Sequence, residues 1–413
     1  MALTRADLEA LDRADPLRPY RGRFVLPEGV IYLDGNSLGA LPAATPARLA
    51  QVIGEEWGRD LIRSWNAHGW FDMQARIGAK IGALIGAGDG ETIVADSTSI
   101  NVYKALSAAL QIAGGGRRTV LSERDNFPTD VYMAEGLIAQ LGGHHRLRLA
   151  APDEFPDAID GDTAVVMLTH ANYRTGRLHD MTAVTAAAHE KGALVIWDLC
   201  HSAGAAPVDL TSAGYDFAVG CGYKFLNGGP GAPAFIAIAK RHQDAYRPAL
   251  AGWFGHARPF AFAQSYEPAS GIARAAVGTP PVLSLAALET GVDLMLEAPI
   301  AQLYAKATRQ FEIVRTLMDE QLAGHGFRLA AAEGPGGRGS QISYAHEQGW
   351  PIMQALIARG VIGDFRAPDI LRFGFTPLYL GYAELWDAVA TLREIMETRA
   401  WDRPDFHKRL KVT

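Results

Sequence analysis

Gly220-Cys-Gly-Tyr-Lys-Phe-Leu-Asn-Gly-Gly-Pro-Gly231 places one lysine, Lys224, in a glycine-rich run with Tyr223 beside it. A short apolar strand at 217–219 leads in, and another at 234–239 leads out. Glycines let a backbone take strained angles and come close to another group. A lysine in a crowded, partly buried pocket can have its pKa lowered and attack carbonyls, forming a Schiff base. A glycine-rich hairpin with an exposed lysine carries the same letters. The stretch alone leaves both readings open, and its surroundings decide.

Upstream, strand and helix alternate, which predicts a mostly parallel sheet with crossover helices. Strands are expected at 92–95, 119–122, 164–168, 193–197 and 216–220, with helices at 100–112, 131–141 and 181–191. Ser97, Thr98, residues 127–130, Thr169, Asp198 and Lys224 then fall at or just past strand C-termini. Open α/β sheets bind their ligands at that edge. Further out, 4–15 reads as an amphipathic helix carrying Leu8 and Leu11, ended by Pro16 and Pro19. Thr45 is expected to cap a helix with Pro46 at its first position, burying Leu49, Val52, Ile53 and Trp57. Near Pro281 the alternation gives way to long helices (282–297, 300–323) and a short sheet (341–344, 371–375). This predicts an α/β cofactor-binding domain at 61–281 and a smaller α+β domain at 282–413, with 1–60 an arm that joins the smaller one.

The 413 residues are 48% hydrophobic and 20% charged with net charge −6, an ordinary globular composition. No clustered basic face suggests nucleic acid. No run approaches the ~20 apolar residues of a membrane span. Cys200 and Cys221 form no disulfide framework and fit a reducing compartment. A cytoplasmic protein is expected.

The chemistry gathers around Asp198. It follows the apolar Leu194-Val195-Ile196-Trp197, so it is expected at a buried strand end, where a carboxylate needs a cation or donors. It could cap the next turn, or it could face a protonated ring nitrogen. Pyridoxal phosphate (PLP) needs such a partner to act as an electron sink. Ser97-Thr98-Ser99 at a helix start is an anion site or plain capping. Phe127 and Asp130 offer an aromatic face and a second carboxylate. His201, three residues past Asp198, reads as a hydrogen-bonder. No Cys/His set has zinc-type spacing, so no metal is expected.

In this order, Ser97-Thr98, Asn126-Phe127-Pro128-Thr129-Asp130, Asp198-Leu-Cys-His201 and Tyr223-Lys224 resemble the fold-type-I PLP enzymes of the class V aminotransferase group. Within that group the chain resembles the kynureninase family. Leu226-Asn-Gly-Gly-Pro-Gly231, Gly252-Trp-Phe-Gly-His256 and Leu371-Arg-Phe-Gly-Phe-Thr-Pro377 carry the likeness along nearly the whole chain.

The resemblance implies a PLP-dependent transferase-like fold with a seven-stranded, mostly parallel sheet. It implies hydrolysis of L-kynurenine to anthranilate and L-alanine, in tryptophan catabolism or supply of NAD precursors, by a homodimer with shared sites. It makes Lys224 the Schiff-base lysine and the base at the substrate's α-carbon, with Tyr223 binding the phosphate and helping in proton transfer. Ser97 and Thr98 would hold the phosphate, and Phe127 would stack on the ring with Asp130 and Asp198 around its nitrogen and Pro128 and Thr129 in the cofactor shell. Thr169 and His201 complete the shell, and Trp253 and Thr279 would reach in from the neighbouring subunit. Arg372 would clamp the substrate carboxylate. Asn36, Ser37 and Trp65 are candidates for the substrate pocket, with His68 an outer one. Thr279 and Trp65 replace residues of vertebrate-type relatives, which suggests kynurenine over its 3-hydroxy derivative. An aminotransferase, a desulfurase-type lyase and a PLP-binding regulator are the alternatives. The region 331–365 contains no cysteine for a desulfurase, and about twenty residues precede the match, too few for a DNA-binding helix set.

Overall fold

The computed structural model describes residues 3–152, 154–334 and 336–410. Residues 1–2 and 411–413, the outer ends of the expected arm and small domain, lie outside the described residues. A period of two in the strands decides the central layer. Val166, Leu168, Val195 and Trp197 join one apolar cluster, while Val165, Met167 and Ile196 join the other. Such strands must be covered on both faces, as parallel sheets are. Helices Met73–Leu84 and Val282–Glu297 cover one face, and Thr98–Ala113 and Pro128–Gln140 the other.

The sheet contains β1 (Thr92–Val94), β2 (Thr119–Glu123), β3 (Arg146–Ala150), β4 (Thr163–Thr169), β5 (Leu194–Asp198), β6 (Phe217–Gly220) and β7 (Phe235–Ile238). Their order is β1-β7-β6-β5-β4-β2-β3. Only β7 runs antiparallel to its neighbours. The seven-stranded, mostly parallel sheet is as expected. β3 escapes the sequence reading because it is an edge strand with the pattern Arg-Leu-Arg-Leu-Ala. Its arginines pair with Asp162 and Asp160 instead of entering a core.

A second, antiparallel sheet is built from β8 (Arg328–Leu329), β9 (Gln341–Ala345), β10 (Asp364–Arg366) and β11 (Ile370–Gly374), in the order β8-β9-β11-β10. Helices Ile300–Gln321 and Tyr382–Glu397 pack with it, and their apolar cluster is continuous with that of the large sheet. Helix Arg5–Ala14 is capped by Thr4. It lies against Tyr382–Glu397: Asp12 accepts the backbone N–H groups of Tyr382 and Ala383 at 2.6 and 2.9 Å. Those donors are unpaired at any helix start, so the carboxylate fixes the arm.

One local expectation fails. Thr45 is the first residue of helix Thr45–Gln51, with Ala44 before it as cap, and its hydroxyl meets that of Thr290 at 2.6 Å. From Val52 to Asp60 the chain winds more widely, as a π-helix. The wider turn rotates the apolar stripe away from the core. Val52 stays buried, Leu49 is half-buried, and Ile53 and Trp57 are 50% and 57% exposed.

Candidate active site

Parallel strands deliver the site. β4 ends at Thr169 and β5 at Asp198, and the two residues are paired in register. β6 ends at Gly220, four residues before Lys224. Lys224 is buried, with its Nζ 5.7 Å from the ring centroids of both Phe127 and Tyr223. The turn that carries it is tight: Asn227 N–H donates to Lys224 O at 2.9 Å, and Gly228 N–H to Gly222 O at 2.8 Å. From the arm, Gly39 N–H donates to Tyr223 O at 2.8 Å, and a Cβ at position 39 would collide with Lys224 O.

Phe127 and Asp130 occupy one turn. Phe127 caps helix Pro128–Gln140, and Asp130 N–H donates to Phe127 O at 3.0 Å. Pro128 and Thr129 lie between them, half-buried. Asn126 steadies the turn, accepting from Phe127 N–H at 2.7 Å and donating to Ser122 Oγ at 2.9 Å. The Tyr173 ring meets Phe127 edge-on at 5.2 Å.

Asp130 and Asp198 are both buried and adjacent. Asp198 Oδ1 also accepts from Cys200 N–H at 2.7 Å, whereas Asp130 Oδ2 has no partner. Burial raises both pKa values, and for Asp130 the Asp198 charge raises it further. Two adjacent buried carboxyls resist ionising together, and Asp130 is the one pushed further up. Burial and the nearby Lys224 cation hold His201 well below the usual imidazole range, so it is neutral, and its Nδ1 has no partner.

Ser97 Oγ caps helix Thr98–Ala113, accepting from Ile100 N–H at 3.4 Å. The preceding residue, Asp96, has a positive φ of 50° and is held by buried Lys104, Nζ to Oδ2 2.7 Å. Ser97, Thr98, Tyr223 and Thr279 line one cavity of about 410 Å³. A second cavity, of about 810 Å³, is lined by Ile62, Trp65, Phe71, Trp253, Phe260 and Thr279. Trp65 and Trp253 therefore lie in an aromatic hollow, with Thr279 at the edge of both cavities. His68 pairs with Asp60, Nε2 to Oδ2 2.7 Å.

Arg372 on β11 is buried, its Nε and Nη2 donating to the two oxygens of Asp364 on β10. The register pairs these residues directly across the sheet. Ser37 and Asn36 lie on this guanidinium, apart from Trp65. Ser37 Oγ accepts from Nη2 at 2.9 Å, and the Asn36 amide oxygen faces Nε at 3.1 Å. Sequence reasoning missed Asp34, Tyr173, Asp364 and Arg366 here. The Asp-Phe-Arg triplet at 364–366, one hairpin before Arg372, was the available signal.

The donor set suits PLP. A buried, adjacent carboxyl pair with one orphaned oxygen would meet a ring N–H. Phe127 supplies a flat apolar face, Lys224 an amine, and a helix start with two hydroxyls receives a phosphate.

The model described as Kynureninase C-terminal domain matches residues 303–392, and Aminotransferase class-V matches 127–329. A curated kynureninase of Burkholderia pseudomallei (strain 1106a) is 52% identical, covering 99% of this chain and all of the relative. One from Pseudomonas fluorescens matches with the same identity and coverage. The chain belongs to the kynureninase family. Among solved structures, the apo cysteine desulfurase of Thermococcus onnurineus NA1 has a TM-score of 0.75 at 17% identity, covering 96% of this chain and all of that one. That likeness shows the fold alone: a fold-type-I, PLP-transferase-like α/β architecture that kynureninases share with desulfurases.

Proposed function

We propose that this chain hydrolyses L-kynurenine to anthranilate and L-alanine, with pyridoxal 5′-phosphate as cofactor. Full-length identity of 52% to curated kynureninases is the observation that carries it. The aminotransferase, desulfurase and regulator readings are not favoured. Bound beside Lys224, the cofactor supplies an electron sink for the substrate's α-carbon.

The chain's own residues do the rest. Lys224 is the covalent anchor, and its Nζ then takes and returns the proton at the substrate's α-carbon. Asp198, beside Asp130, would hold the proton on the ring nitrogen. Phe127 would pack on the ring face, with Thr169 and neutral His201 closing the shell. Ser97, Thr98 and the helix start would hold the phosphate beside Tyr223. Burial raises the Tyr223 pKa, so its hydroxyl keeps a proton to donate. Arg372 receives the α-carboxylate. Purified holoenzyme given L-kynurenine is expected to release fluorescent anthranilate. Cofactor bound without anthranilate formation would overturn the activity.

The assembly we propose is a homodimer. Trp57, Leu61, Ile62, Trp253, Phe260 and Phe262 are each more than 40% exposed, on neighbouring segments. A patch of this kind needs a cover, and a second copy provides one. Trp253 and Thr279 would then reach the partner's phosphate end. Mixing inactive Lys224→Ala and Trp253→Ala chains after unfolding is expected to restore about a quarter of wild-type activity, because half the dimers are mixed and each carries one intact site. No recovery would place Trp253 outside the partner's site. No helix among the described residues is long and apolar enough to cross a membrane. The cytoplasm is the proposed compartment, tryptophan breakdown or NAD-precursor supply the proposed setting, and kynurenine the preferred substrate over its 3-hydroxy form.

A further inference from the structure

Arg372 stands in a cluster whose charges balance before any substrate arrives. Asp364 accepts from Arg372 Nε at 2.8 Å and from Nη2, and also from Arg366 Nη2. Ser37 Oγ accepts from Arg372 at 2.9 Å and Arg366 at 3.1 Å, and donates to Asp364 Oδ2 at 2.9 Å. The Tyr173 carbonyl takes Arg372 Nη1 at 2.7 Å. Asp34 adjoins this cluster. Its backbone bridges to Gly374, two residues past Arg372, and its Oδ1 accepts from the Asn36 amide at 3.2 Å. Two guanidiniums thus face two carboxyl groups in a largely buried space. A substrate carboxylate makes three acids against two bases, and a net buried negative charge is costly. A proton on one carboxyl removes it.

We propose that Asp34 takes up a proton when the substrate's α-carboxylate docks on Arg372, so that carboxylate recognition is proton-coupled. The inference rests on the reading of Arg372 as the carboxylate clamp. Asp34 is the carboxyl that yields because Asp364 is held by both guanidiniums and Asp34 is not. Those cations keep Asp364 below the usual carboxylate range, whereas burial, then the Asp364 charge, lift Asp34 to about 7. The other titratable groups facing this space do not compete. Burial pushes the Tyr32 and Tyr379 hydroxyls up, so both stay neutral, and His201 is held neutral by burial and the nearby cations. The raised carboxyl pKa rises further once the third carboxylate is bound. Affinity is therefore full below about pH 7 and falls as pH climbs above the free-state value.

The test is calorimetry on the holoenzyme with 4-oxo-4-phenylbutanoate, which keeps kynurenine's ketone and carboxylate but has no amine to react with the cofactor. Its neutral amide is the control, and buffers of different ionisation enthalpy count the protons. Wild type is expected to take up close to one proton per carboxylate ligand at pH 8 and little at pH 6, with Kd rising up to about 10-fold per pH unit above 7. The amide takes up none. Asp34→Asn, which mimics the protonated carboxyl, is expected to match wild-type affinity at pH 6 and keep it at pH 8, with no uptake. No uptake in wild type, or equal uptake in Asp34→Asn, overturns the proposal. Should Asp34→Asn not fold, the carboxylate-versus-amide difference in wild type decides it. Arg372→Lys separates the two readings. Unchanged carboxylate affinity in that variant means that the clamp itself is misassigned. Weakened affinity, with no proton uptake in wild type, means that only the coupling is wrong.

Discussion

Lys224→Ala is expected to abolish the visible absorbance of bound cofactor and lower kcat at least about 10⁴-fold, with the fold intact. In the proposed reaction the amine is both the anchor and the base at the substrate's α-carbon, so no neighbour substitutes for it. Its structural contribution is small. The ammonium rests between the Phe127 and Tyr223 rings, 5.7 Å from each centroid. The turn itself is held by backbone groups, Asn227 N–H to Lys224 O and Gly228 N–H to Gly222 O, which alanine retains. A melting curve by circular dichroism should shift little. Measurable turnover in this variant would remove Lys224 from the chemistry.

Arg372→Leu should damage binding and stability together. Arg372 and Asp364 have 1% and 2% of their side chains exposed, and removing Arg372 leaves a buried carboxylate with Arg366 as counter-ion and the Ser37 hydroxyl as donor. Losing half of a buried pair costs about 3 kcal/mol or more. With Arg372 as the proposed carboxylate clamp, it should also raise KM for kynurenine about 100-fold, since a charge-assisted contact is lost. The double replacement Arg372→Leu with Asp364→Leu distinguishes the two effects. Urea denaturation should show much of the stability restored, while KM stays high. A double variant no more stable than the single one would mean that Asp364 is not the liability.

Much of this was legible in the residues. Leu194-Val195-Ile196-Trp197 could only be a buried strand, and Asp198 at its end then needed a partner. Ser97 before an apolar helix and Phe127-Pro128 before another marked the other walls of the site. The rest depended on contacts that a linear reading does not contain. Ser37 meets Asp364 and Arg372 across more than 300 residues, through a register that pairs 364 with 372. Asn36 and Ser37 therefore lie at the guanidinium end, whereas Trp65, grouped with them by resemblance, faces Trp70 and Phe254 in the aromatic hollow. Trp57 has the spacing of a core residue, but the widened winding turns it outward. β3 carries arginines where a buried strand would carry valines, because an edge strand needs only one dry face.

The segment from Asp34 to Gly39 touches both ends of the cleft. One end bridges to Gly374 beside Arg372, and the other presses on the Lys224 turn too closely for any side chain at position 39. Its six residues make five steps that reach at most about 18 Å, and this length is fixed at both ends. With Arg372 and Lys224 in their proposed roles, the strap acts as a gauge, setting how far an amino group can stand from its carboxylate and still meet the lysine. A chain one residue longer here would recalibrate the cleft for amines of a different reach without changing a single reacting group.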